Sequence, residues 1–168
     1  MLFEGLLLGV VAITMVGGSH VAVAAPHESP DAKLFQTLGW TTVNSVEAIQ
    51  PTVLAALQSR FGSDSRLANP GEPFDATDVV TGKPRRRLLL AGHATTRWFV
   101  AYERGGRGHY VVLVIFDSGA KVPEPTLLAR GSAGAHDDQA GWRVSLAELR
   151  AALKDGTLSQ DDVHEPYY

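Results

Sequence analysis

The chain has 168 residues, 45% of them hydrophobic and 20% charged, enough apolar material for a buried core and too much for a disordered tail. Fifteen Lys and Arg against eighteen Asp and Glu give a net charge of -3, without the positive excess that draws a protein to nucleic acid or anionic membrane. No cysteine is present, which excludes disulfides, a thiol nucleophile, Cys-ligated zinc and iron–sulfur clusters.

Residues 6–16 (LLLGVVAITMV) form an apolar run of signal-peptide length, and Ala22-Val23-Ala24 supplies a small-x-small cleavage pattern. Residues 1–24 are therefore expected to be removed on export to the periplasm or beyond the cell. Glu4 stands where a positive residue is usual. The alternative of a retained anchor meets the break at Gly17-Gly18-Ser19-His20, well short of the roughly 20 apolar residues that span a bilayer. No membrane span is expected in the mature chain, in which residues 25–42 read as a polar amino-terminal segment, frayed around Pro26 to Asp31.

Residues 43–158 read as one α+β domain. Val46, Ile49, Val53, Leu54, Leu57 and Phe61 recur at helical spacing, with Asn44 and Glu47 in the capping-box relation and Gly62 placed as a stop. Pro51 within the pattern either opens the helix or separates it from a preceding turn. Residues 63–84, rich in Gly and Pro, read as a long loop. Three apolar runs follow, at residues 88–92, 98–102 and 110–116, with a weaker strand at Thr126 to Arg130. Their unbroken apolar character in the second and third runs implies strands covered on both faces. A second helix opens at Ser145, in the capping-box relation to Glu148, and ends at Gly156. The expected architecture is two-layer α+β, a mostly antiparallel meander of about four strands with two main helices. Residues 159–168 read as a polar tail. A face left bare by this chain would call for a second copy of it, a dimer.

Gly105-Gly106 between two apolar runs is a two-residue hairpin signal. In that register Arg104 faces Arg107, Tyr102 faces His109, Val100 faces Val111 and Trp98 faces Leu113, all on one face. Opposed arginines favour an anion or acidic group between them. Tyr102, Arg104, Arg107 and His109 are thus the candidate binding residues, and an acidic group of another protein is the expected contact. His93 and Asp117 read as strand-end and turn residues. The triplet Arg85-Arg86-Arg87 reads as charge that guards a strand edge. His136-Asp137-Asp138 and Asp161-Asp162 with His164-Glu165 read as solvated loop and tail, without calcium-loop glycine placement. No hydrolase elbow, phosphate loop or dinucleotide fingerprint occurs, so no catalytic residue, metal or cofactor is assigned.

Two functions fit these readings. One is an exported, non-enzymatic binding protein, such as an inhibitor or immunity-type protein acting on a toxin or hydrolase. The other is a small secreted hydrolase: an amino-terminal helix, then a meander bearing Arg87 and Gly108-His109-Tyr110, is loosely similar to small secreted microbial ribonucleases. That resemblance implies Glu, Arg and His acting on a phosphodiester. This chain departs from it, offering Asp75 and Asp78 before Arg87 and Glu103 only after it. A carboxylate within reach of both Arg87 and His109 would favour the hydrolase; a protruding tip or flat edge would favour the binder.

Overall fold

The computed structural model describes residues 29–106, 109–121, 123–132 and 144–159. The signal segment expected at residues 1–24 and the His136 and Asp161 clusters lie outside them. Five strands form an antiparallel meander, in spatial order the same as chain order: β1 (Thr41–Val43), β2 (Arg86–Ala94), β3 (Arg97–Arg104), β4 (Tyr110–Asp117) and β5 (Pro125–Ser132). The α+β class and the meander are as expected, with one strand more than the four anticipated. The addition is β1, which pairs with the far half of β2. Beyond β5, Ser159 exchanges both backbone hydrogen bonds with Arg130, a one-residue extension of the sheet made by the start of the polar tail.

Three helices accompany the sheet: α1 (Pro30–Thr37), α2 (Pro51–Gln58) and α3 (Leu146–Asp155). The start of α3 is the expected capping box, Ser145 with Glu148, and Gly156 ends it in the left-handed conformation, φ 83°. Pro51 opens α2, and the upstream residues form a separate 3₁₀ turn at Val46–Ala48. Asn69, not a capping box, holds that turn: its side chain accepts from the Val46 N–H at 2.7 Å and donates to Glu47 at 3.2 Å. Helix α1 falls in residues 25–42, read as a polar amino-terminal segment, and its first two residues overlap the stretch expected to fray. Ser29 caps it by accepting from the Ala32 N–H, Pro30 starts it, and Phe35 anchors it, fully buried against the edges of Trp40 and Phe99.

The two faces of the sheet carry separate apolar clusters. Phe99, Ala101, Leu113, Ile115 and Ala129 face α1 and α3; Leu88, Val100, Tyr102, Val114 and Phe116 face Val53 and Leu57 of α2 and Phe61 beyond it. Among the described residues, this chain's own elements therefore pack on both faces of the sheet. A bulge between Leu88 and Leu90 lets both Leu89 and Leu90 join the α1 and α3 cluster.

Replacing Phe35 with alanine is expected to cost about 3–5 kcal/mol in urea unfolding, the range for deleting a buried aromatic, with exchange of the α1 amides accelerated.

Candidate functional site

The Gly105-Gly106 signal does not make a two-residue turn. Arg104 pairs with Tyr110, Tyr102 with Val112, Val100 with Val114 and Trp98 with Phe116, so residues 105–109 form the connection. The cause lies outside the hairpin. The Gly105 N–H donates to the Arg85 carbonyl at 3.0 Å and prolongs the β2–β3 pairing. A crossing segment, Asp75-Ala76, lies so close that a Cβ on Gly105 would come within 1.9 Å of the Asp75 carbonyl oxygen. Glycine is required there by close approach rather than by the turn.

This register separates the predicted binding residues. Tyr102 is buried, its ring 5.3 Å from that of Phe61, and is closed to a partner. Arg104 is half-buried and lies across from Arg86 as well as Tyr110. Arg107 lies outside the described residues. His109 reaches to the other face of the sheet, where its Nε2 meets Glu103 Oε2 at 2.6 Å.

Glu103 is the centre of the arrangement. Its side chain is 1% exposed, and its other oxygen accepts from Arg87 Nε at 2.5 Å. Arg87 also donates to the Glu72 carbonyl at 3.3 Å, and its guanidinium lies 4.4 Å from the ring centre of Phe74. Phe74 lies against His109 as well, at 5.7 Å between ring centres. The Arg85-Arg86-Arg87 triplet is thus not edge protection. At this end β2 is flanked by β3 on one side and on the other by Ala68, which exchanges backbone hydrogen bonds with Arg86 and Leu88, and its two arginines are buried, pointing to opposite faces. Arg86 donates to the carbonyls of Asp64 and Phe61 and stacks on the Phe61 ring, fastening the exit from α2. Burial pushes its guanidinium below the ordinary arginine range; Arg104 acts the same way, and Tyr102 and Asp64 act against it.

Beside this cluster the segment 72–84 borders a cleft of about 340 Å³, lined among others by Phe74, Thr77, Val79, Lys83 and Arg87. Asp75 ties the segment into a loop. Its carboxylate accepts from the Thr81 N–H at 2.9 Å and from the Thr81 hydroxyl, while its own N–H donates to the Pro84 carbonyl at 2.8 Å. The Thr81 hydrogen bonds hold the Asp75 carboxyl below the usual carboxylate range. Asp64 sits below it too: burial raises it, but hydrogen bonds from Arg66 and from the Arg85 N–H outweigh that. Val79 and Val80, the two residues before Thr81, are each 67% exposed and are the exposed large hydrophobics among the described residues.

The remaining candidates keep structural roles. Asp117 accepts from the Gly119 N–H in the expected turn, and His93 lies on the Trp98 ring at 5.0 Å. Among the described residues no group of three His, Cys, Asp or Glu could hold a metal, and no helix is long and apolar enough to cross a membrane. No family model matches the chain, and no curated protein or solved structure resembles it closely enough to be matched.

Sequence reasoning missed Phe74 and Val79-Val80, and met Asp75 only as a carboxylate ahead of Arg87, because a Gly- and Pro-rich stretch carries no periodicity. The available signal was Val79-Val80 itself, an apolar pair inside a polar loop.

Glu103→Gln is expected to destabilise the fold by about 3–5 kcal/mol, the range for breaking a buried ion pair. In a double-mutant cycle with Arg87→Met, the two losses should fall well short of adding. The Asp75 clamp carries its own pH signature. Because its folded pKa is depressed, its stabilisation is present above the ordinary Asp pKa and disappears as pH falls through the depressed value. The difference in urea midpoint between the parent and Asp75→Asn should be full at neutral pH and close below about pH 4.

Proposed function

We propose that this chain is an exported, non-enzymatic binding protein of the inhibitor or immunity kind, acting in the periplasm or outside the cell on another protein. Export follows from the apolar run at residues 6–16 and the Ala22-Val23-Ala24 pattern. The observation that carries the binding role is the exposed pair Val79 and Val80 on a loop tied at its base by Asp75 and Thr81. Apolar side chains left in water on an ordered loop gain by transfer to a partner. Lys83 and Arg104 belong to the two chain segments that meet at this end of the sheet, so the partner contributes acidic groups around the apolar contact. Tyr102 has no part in the surface.

A second reading rests on a separate observation, the contact of Glu103 with both Arg87 and His109. A phosphodiester hydrolase would use Arg87 to hold the phosphate and His109 for proton transfer, with Glu103 positioning both. The burial of Glu103, with each carboxylate oxygen already engaged, favours a structural assignment and places this reading second.

The two readings separate cleanly in experiment. Val79→Asp with Val80→Asp should leave the thermal midpoint within about 2–4 °C of the parent, as for exposed positions, and abolish capture of the protein partner from native secretions. Capture that persists unchanged rejects the loop as the contact. Cleavage of RNA or a dinucleotide by the purified chain, lost in His109→Ala, would install the hydrolase reading instead.

A further inference from the structure

We infer that the cleft between the 73–83 segment and Arg87 is a binding site for a small, singly charged carboxylate with an apolar body, its anionic oxygen received by the Arg87 guanidinium. The inference is independent of the protein-binding reading above, because it uses neither Val80 nor a partner chain.

The observation that points to a ligand is an open donor on a buried cation. The Arg87 side chain is 10% exposed. Its Nε donates to Glu103 and its Nη1 to the Glu72 carbonyl, while Nη2 donates to nothing among the described residues. Nη2 is not sealed from solvent either: Arg85 Nε is the sealed side-chain nitrogen or oxygen left without a partner among the described residues. Arg87 lines the cleft, and an arginine otherwise held away from water calls for an acceptor on its remaining N–H groups there. The donor is also fixed in place. Glu103 and the Glu72 carbonyl hold two of its nitrogens, and the Phe74 ring centre lies 4.4 Å from its central carbon. A group ordered on folding loses little freedom when a ligand arrives.

The rest of the lining selects the ligand. Pro73, Phe74 and Val79 supply apolar surface, and Val79 is 67% exposed, so covering it is favourable in proportion to the area covered. Lys83 adds a second cation to the lining. Asp75 on the lining and Glu103 behind Arg87 already balance these charges. Such a balance accepts one further negative charge when it lands on a charge-assisted hydrogen bond, and opposes the dianion of a phosphate monoester. At about 340 Å³ the cleft lies near the small end of ligand sites, roughly 300–1,000 Å³, and suits a single ring or a short chain. Its wall is formed in advance. Asp75 closes the segment on Thr81, and Arg66 fastens it by donating to the Gly82 and Lys83 carbonyls at 2.7 and 3.2 Å.

The experiment titrates the full chain with sodium benzoate and follows the Arg87 Nε–H resonance, the Val79 methyls and the backbone amides by NMR. Benzoate should give saturable shifts at Phe74, Val79, Lys83 and Arg87, in the millimolar range expected of so small a ligand. Benzyl alcohol keeps the ring and lacks the charge; inorganic phosphate keeps the charge and lacks the ring. Each should bind at least about tenfold more weakly than benzoate. Absence of saturation with benzoate, or shifts scattered over the surface, overturns the site. Equal binding of benzyl alcohol overturns the role of Arg87, and equal binding of phosphate overturns the carboxylate assignment in favour of the phosphodiester reading. Val79→Glu, at an exposed position, should leave the thermal midpoint unchanged and weaken benzoate about tenfold by setting a like charge in the cleft. Undiminished affinity in that variant overturns the placement of the ligand.

Discussion

Glu103 faces inward from the middle of a five-stranded sheet, and its carboxylate constrains everything at that end of the molecule. A buried charge is tolerable only when it is paired and its remaining lone pairs are satisfied. Arg87, its cross-strand partner on β2, supplies the opposite charge, and His109 supplies the second hydrogen bond. Arg87 in turn is buried and needs partners for its own N–H groups and a surface for its planar face. The Glu72 carbonyl and the Phe74 ring meet those needs, and both lie on the long segment between α2 and β2. That segment is thereby drawn across the sheet end, its backbone meets Gly105, and Val79 and Val80 are left exposed.

Arg86 does the corresponding work on the opposite face. Consecutive arginines on one strand point to opposite sides, and each gathers a piece of irregular chain: Arg87 the start of the 72–84 segment, Arg86 the turn after α2. With apolar clusters filling the rest of both faces, the sheet becomes a platform that carries the irregular 72–84 segment. Surface loops on rigid scaffolds are where binding residues concentrate. The same cluster that resembles a catalytic grouping in its residue types is, in its burial, the fastening of that loop.

Much of the scaffold was legible along the chain. The Ser145 and Glu148 capping box, the Gly156 stop and the long apolar runs of β3 and β4 each depend on neighbours within a few residues, so local pattern and local structure agree. Helix α1 was not legible. Its eight residues bury only Ala32 and Phe35, too few for a period to show, and its stability comes from packing on Trp40 just beyond it and on Phe99 of the distant β3. Strand β1 has three residues and exists because β2 offers it an edge.

What the sequence by itself determined is therefore the class of the fold, the antiparallel order of its main strands, the covering of both sheet faces and the absence of cysteine chemistry, since all of these follow from composition and short-range periodicity. The tertiary structure alone decided the register at the β3–β4 tip and the fate of its charges. Gly105 reads as a turn residue in isolation but serves as the crossing point for Asp75-Ala76. Arg86 and Arg87 read as surface charge but are buried, because their hydrogen-bond partners lie 15 to 25 residues away in sequence. A one-residue view carries the propensity of a side chain; whether a charge is solvated or satisfied inside depends on which distant carbonyls and carboxylates the fold brings to it.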